Sequence, residues 1–166
     1  MKKNLRVLLV GLLAVVGLVI FAGCGSNDGG TSGSSTADRA EADIDWQFIS
    51  PADMKKVVED EDAESYHVVD IQPEADFAKG HLPNSIELAA YPVDTKELED
   101  IVTDSADQMS DDENPIYVMC PGGGAGAKRT ISVLIDAGID ESRLYIIEDG
   151  AKGWPYKDDA DIWVQS

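Results

Sequence analysis

The chain has 166 residues, 32 of them acidic and 13 basic, for a net charge of −19 at pH 7, which is enough for one domain with additions. A surface that acidic repels phosphate backbones and anionic headgroups, which argues against nucleic acid or an anionic lipid surface as a partner. It also slows the approach of small anions. Two cysteines, Cys24 and Cys120, are the whole thiol inventory.

Residues 1–23 open with Lys2, Lys3 and Arg6 and then run without a charge from Val7 to Gly23. A positive start followed by an apolar stretch is the layout of an export signal. The stretch ends in Phe21-Ala22-Gly23-Cys24, two small residues before a cysteine. It resembles a bacterial lipobox, with Phe21 in place of the usual Leu, and the resemblance implies lipidation at Cys24. The alternative is an uncleaved anchor, since the apolar run approaches a membrane-spanning length of about 20 residues. Either reading implies a domain held at the cell membrane and facing the extracytoplasmic side. Cys120 would then be the lone free thiol of an exported protein, where cysteines normally pair. Residues 24–42 hold the lipidated cysteine and a Gly, Ser, Thr, Ala and charge-rich stretch that reads as a flexible tether. The folded domain is expected over 43–166, long enough for one real core.

Within it, strands and helices alternate. Trp46–Ile49 is a short strand, followed by Ser50-Pro51-Ala52-Asp53, a cap residue, a first-turn proline and an acid at the third helical position. Met54, Val57 and Val58 form that helix's apolar face. Tyr66–Val69 is a strand ending at Asp70. Pro73 opens a short helix that stops at Gly80, and Ile86–Leu88 is a third strand. Asp94-Thr95-Lys96-Glu97 reads as a capping box, with Leu98, Ile101 and Val102 on one face. Ser105–Asn114 is polar and acidic and reads as loop. Ile116–Met119 and Leu144–Ile147 are continuous apolar runs, as in strands buried on both faces. Between them Ala127, Ile131, Leu134 and Ile135 recur at helical spacing, with Gly138 as C-terminal cap. The alternation predicts an α/β fold with a parallel sheet between helical layers.

In such sheets ligands bind beyond the carboxyl ends of the strands. Cys120 ends the strand Ile116–Met119 and is followed by Pro121-Gly122-Gly123-Gly124-Ala125-Gly126, with a helix expected from Ala127. Pro121 keeps Cys120 extended. The glycines let several N–H groups turn into one concavity, and the helix N-terminus adds positive potential. Both favour a thiolate, a nucleophile with its own anion cradle. A buried, inert cysteine at a strand end is the plainer reading. A phosphate-binding P-loop is a near miss only, since Ala127 and Arg129 stand where Gly and Ser or Thr are required.

Strand, cysteine, glycine loop and helix, with Asp70-Ile71-Gln72-Pro73-Glu74-Ala75-Asp76-Phe77-Ala78-Lys79-Gly80-His81-Leu82-Pro83 upstream, resemble a rhodanese domain. Leu144–Trp154 resembles that family's closing strand and Gly–Trp turn, and the likeness spans Ile44 to Tyr156. The resemblance implies a rhodanese-like three-layer fold with about five parallel strands. It implies a sulfurtransferase in which Cys120 takes sulfane sulfur from a small-molecule or protein donor, holds it as a persulfide and passes it to a thiol or another thiophilic acceptor. The amides of Gly122, Gly123, Gly124, Ala125, Gly126 and Ala127 would stabilise the persulfide. Lys128 and Arg129, in the first helical turn, would reach the rim or face solvent. Asp70 and His81 would fix loops rather than catalyse, and no role falls to His67. No cofactor or metal is implied, two isolated histidines and one thiol lacking ligand spacing.

Three departures from the family pattern stand out. The loop is one residue longer than the usual sulfurtransferase loop, it lacks the late arginine of relatives that handle phosphate or arsenate, and Gln72 stands where arginine is frequent. Two alternatives follow. One is a non-catalytic module that binds sulfur, selenium or an oxyanion, or senses through its thiol. The other is arsenate or phosphate-ester chemistry, with the nucleophile present and its cationic partner missing. The cation-free loop and acidic surface also favour a neutral or protein-bound persulfide over thiosulfate as donor.

Overall fold

A computed structural model describes residues 38–166. The signal-like segment, Cys24 and nearly all of the tether lie outside the described residues. The packed chain begins at a single 3-10 turn, Arg39–Glu41, ahead of the Asp43 start expected from composition. Arg39 holds this turn in place: its guanidinium binds Glu99 at 2.7 Å and Asp136 at 2.5 Å. Composition concealed this, because a tether and an anchored arginine look alike in a polar stretch.

The sheet has five parallel strands, β1 (Gln47–Ile49), β2 (His67–Asp70), β3 (Ser85–Glu87), β4 (Ile116–Met119) and β5 (Leu144–Ile147), in the order β1-β5-β4-β2-β3. β4 is central and buried along its whole length, which is why it carries no charged side chain. The helices are α1 (Pro51–Asp60), α2 (Glu74–Phe77), α3 (Lys96–Ser105), α4 (Ala125–Asp136) and α5 (Gly150–Gly153). Ser50 caps α1 by accepting from the amide of Asp53, with Pro51 at the first helical position. Thr95 rather than Asp94 caps α3, its hydroxyl accepting from the Leu98 amide. Gly138, at φ +99°, sits just past α4 and terminates it.

Two hydrophobic clusters cover the two sheet faces. One joins Val69, Val118, Leu144 and Ile146 to Val102 of α3 and Ile131 and Leu134 of α4. The other joins Val68, Tyr117, Met119 and Ile147 to Met54 of α1, Ala151 of α5, Trp154 and Trp163. This is a three-layer α/β architecture, as the strand–helix alternation predicts. Two local expectations fail. Ile101 is 40% exposed, while the buried position beside it on α3 belongs to Glu99, whose charge Arg39 neutralises. The 105–114 stretch contains a second 3-10 turn, Ala106–Gln108, and a fully buried Met109, a single apolar residue that no periodicity reveals.

Candidate active site

Strand alternation decides where the thiol points. Ile116 and Val118 face the α3–α4 layer, Tyr117 and Met119 the opposite layer, and Cys120 continues the alternation into the α3–α4 cluster. The cysteine is 1% exposed. At the strand end the chain curls through Pro121–Gly124. Gly123 takes φ +64°, and its N–H donates to Cys120 Sγ at 3.1 Å. α4 begins at Ala125, two residues before the expected Ala127, because two strong helix formers outweigh the intervening Gly126. Ala125, Gly126 and Ala127 therefore supply amides of the first turn, which have no acceptor inside the helix. The cradle runs from Gly122 to Ala127, part loop and part helix terminus. Positions where Cβ atoms of Gly122 and Gly124 would stand are open space, so the mouth of the loop lies on their side.

A second loop braces the first from behind. The Ala151 amide donates to the Cys120 carbonyl at 2.9 Å, and the Lys152 amide to the Pro121 carbonyl at 3.0 Å. With those carbonyls held at the back, the Gly123 amide faces the sulfur. The two loops touch so closely that only glycine fits at the contact. A Cβ on Gly150, at φ +57°, would lie 2.2 Å from the Cys120 carbonyl oxygen and 2.4 Å from the Gly123 nitrogen. Sequence reading assigned nothing to Gly150; the Asp149-Gly150 pair directly after β5 is the turn signal that marks it. Tyr91 was missed as well. It is 42% exposed, and its ring stands 3.0 Å from where a Cβ on Gly126 would be, so it walls the start of α4. An aromatic residue in an irregular connection carries no periodic signal.

Asp70 and His81 sit where fixing loops requires. Asp70 is fully buried at the end of β2 and accepts from the Gln72 amide at 2.9 Å and the Gln72 side chain at 3.1 Å. The same side-chain nitrogen, Gln72 Nε2, also donates to the Gly80 carbonyl at 3.2 Å. Burial without a cation pushes the Asp70 carboxyl up to about 6, against the partial relief of the Gln72 hydrogen bonds, and the charge of Glu87 adds to the rise. His81 stacks on Phe77 with ring centres 3.7 Å apart, and its Nδ1 donates to the Phe77 carbonyl at 3.0 Å. His67, left without a role, binds Asp112 at 2.8 Å. Of the two cations in the first turn of α4, Lys128 lies 5.1 Å over the Trp46 ring, a cation–π contact that directs it away from the cradle. Arg129, next to it, is half-buried.

Three further cations line a cavity beside the loop. A cavity of about 210 Å³ opens beside Pro121, lined by Lys79, Lys152 and Lys157 together with Gln72 and Trp163. Gly80 is required there, because its Cβ would collide with the Trp163 indole at 1.7 Å.

A central parallel sheet carrying a cysteine–amide loop at the end of its middle strand defines a class of α/β thiol proteins. The rhodanese-like domain family model matches residues 50–156, and this chain belongs to that family, which includes sulfurtransferases. The fold is similar to the rhodanese-like domain of an Anabaena protein, at 16% identity and a TM-score of 0.54, covering 72% of this chain and 79% of that one. It is similar to an As–Sb reductase from Leishmania major, at 18% identity and TM-score 0.54, covering 70% and 81%. A Rhodopseudomonas palustris protein described as a possible tyrosine phosphatase matches at 20% identity and TM-score 0.51, covering 78% and 94%. No curated protein matches the chain.

Proposed function

We propose that this protein is an extracytoplasmic, lipid-anchored sulfurtransferase that carries sulfane sulfur on Cys120. The observation that supports it most is the Gly123 amide on Cys120 Sγ at 3.1 Å, inside a loop whose carbonyls are held at the back by Ala151 and Lys152. With thiosulfate as donor, the Cys120 thiolate attacks the outer sulfur, an S–S bond forms to Sγ, and sulfite leaves with the electron pair of the broken bond. With a persulfide donor, the leaving group is the donor thiolate. In the second step an acceptor thiolate attacks the sulfane sulfur, and the pair of the Sγ–S bond returns to Sγ. The amides of Gly122–Ala127 stabilise the negative charge in both steps without moving.

The position of the anchored turn suits a tether. Arg39 binds Asp136 at the last residue of α4, whereas the cradle is at its first turn, some 17 Å away along about 12 residues of helix. A chain held at its N-terminus would leave the loop free. One observation favours the second reading, a non-catalytic binding or sensing module: Cys120 is 1% exposed, which restricts access to the sulfur. Arsenate or phosphate-ester chemistry is less well supported, since the loop has no cation and Lys128 is committed to Trp46. Persulfidation of the protein followed by cyanide or dithiothreitol separates the readings. A carrier releases sulfur repeatedly, while a sensor retains a stable adduct.

A further inference from the structure

The chain as a whole carries more than two acidic residues for each basic one, yet the cavity beside Pro121 has three lysines and a single acid, Asp76, in its wall. Part of that wall is particular to this chain. The rhodanese-like family match ends at residue 156, and Lys157 and Trp163 lie beyond it. The tail that brings them is folded back onto the domain. Val164 and His81 exchange backbone hydrogen bonds at 2.9 and 3.0 Å, and the Gln165 side chain donates to the Lys79 carbonyl at 3.0 Å.

The polar groups of the wall are unevenly committed. Lys79 pairs with Asp76 at 2.7 Å and, with a weaker pull from Lys152, holds that carboxyl below its usual range. Lys157 donates to the Lys152 carbonyl at 2.9 Å and lies 5.9 Å over the Trp163 ring. The Lys152 ammonium has no ion pair among the described residues. Trp163 is only 8% exposed, and its indole nitrogen stands over Gly80, where a Cβ would lie 1.7 Å from it. The indole N–H donates to no atom of the described residues. A largely buried N–H without an acceptor thus borders a cavity whose three ammonium groups and one carboxylate leave a net charge of +2.

We propose that this cavity is a binding site for a small oxyanion of two negative charges, either a dicarboxylate or a tetrahedral oxyanion. One oxygen accepts from the Trp163 N–H and others from the Lys152 and Lys157 ammonium groups, while Lys79 offsets Asp76. The two charges match the net charge of the wall. The volume of about 210 Å³ is several times what one water occupies, so a molecule of several heavy atoms fits. The cavity is walled by Ala151 and Trp163 of one sheet face, whereas Cys120 belongs to the cluster on the other, so the occupant takes no part in chemistry at the sulfur. It lies instead against Pro121, Ala151 and Lys152, and ties the C-terminal tail to the brace behind the cysteine loop.

The test follows the Trp163 indole N–H resonance of the full chain, assigned with Trp163→Phe. The protein is titrated with sodium succinate, with sodium sulfate and with sodium chloride at matched ionic strength. A saturable shift with at least one dianion and none with chloride is expected, and the dianion that saturates at the lower concentration tells a dicarboxylate from a tetrahedral oxyanion. Lys152→Gln, at an exposed position whose backbone bond to Pro121 is unaffected, is expected to raise the midpoint about tenfold by removing one charged hydrogen bond. Lys128→Gln removes the same charge on the other sheet face, over Trp46, and leaves the midpoint where it was. Cys120→Ser leaves the shift unchanged, so the site stands or falls independently of sulfur transfer. No saturable shift with either dianion, an equal shift with chloride, or equal effects of the two lysine substitutions overturns the site.

Discussion

The Gly123 amide and the Cys120 sulfur meet at 3.1 Å, and a third residue, Gly150, is pressed against the Gly123 nitrogen and the Cys120 carbonyl oxygen behind them. Gly123 sits at φ +64° because the loop must turn back onto the strand it has just left. Gly150 sits at φ +57° because the bracing loop must come within contact of that turn. The contact between the two loops is therefore made by backbone against backbone.

Gly150→Ala is expected to cost several kcal/mol of stability, on the order of 3, and to abolish sulfur loading, since its Cβ meets backbone atoms that cannot give way. Gly122→Ala adds a Cβ to open space and is expected to change stability by less than about 1 kcal/mol. Denaturant melts of both variants, with loading measured alongside, check the contrast. Equal losses in the two would disprove the bracing role.

Asp70 makes stability depend on pH in a definite direction. Its folded-state carboxyl is raised to about 6 from an ordinary value near 3.8, so the folded state holds the proton more tightly than the unfolded one. Its protonated form suits the fold, and that advantage disappears as pH rises from about 4 to about 6. Asp70→Asn removes this slope. The variant's stability relative to wild type should rise across that window by up to about 3 kcal/mol, at 1.36 kcal/mol per pKa unit. Chemical denaturation of both proteins at several pH values measures it, and a constant difference would contradict the assignment.

Gln72 ties the Asp70 carboxylate to the Gly80 carbonyl, joining the end of β2 to the 78–84 connection, against which Trp163 packs. Gln72→Leu keeps the volume and removes both bonds. The expected cost is about 1–3 kcal/mol at neutral pH, where Asp70 is charged and buried, and less near pH 4. A loss independent of pH would mean that packing rather than hydrogen bonding is at stake.

Arg39 places the start of the domain. A fragment beginning at Asp43 leaves Glu99 buried at 7% exposure without its guanidinium, whereas one beginning at Asp38 retains the pair. The shorter fragment should be less stable by about 1–3 kcal/mol. Arg39→Ala in the longer one should reproduce most of that loss, with thermal melts as the measurement.

Where apolar periodicity was strong, the sequence was readable. β4, β5, the body of α4 and the caps at Ser50 and Gly138 follow from patterns of a few residues, and so does the place of Cys120 at a strand end. The start of α4 at Ala125 was not readable, because three consecutive glycines hide where a loop ends. Contacts between distant segments escaped for a different reason. Arg39 with Glu99, Gly150 against Gly123, Tyr91 over Gly126 and the lysines beside Pro121 are each set by how strands are ordered in the sheet. The lysines of the cavity beside Pro121 come from two separate segments of the chain. Lys128, in the first turn of α4, is instead drawn to Trp46.

The most direct test of the account is intact-protein mass spectrometry after incubation with thiosulfate or with a polysulfide. One added sulfur atom, located on Cys120 by peptide mapping, absent in Cys120→Ser and lost on addition of a thiol, is the predicted result. A thiol left unmodified by every donor, or a sulfur that no acceptor removes, would contradict it.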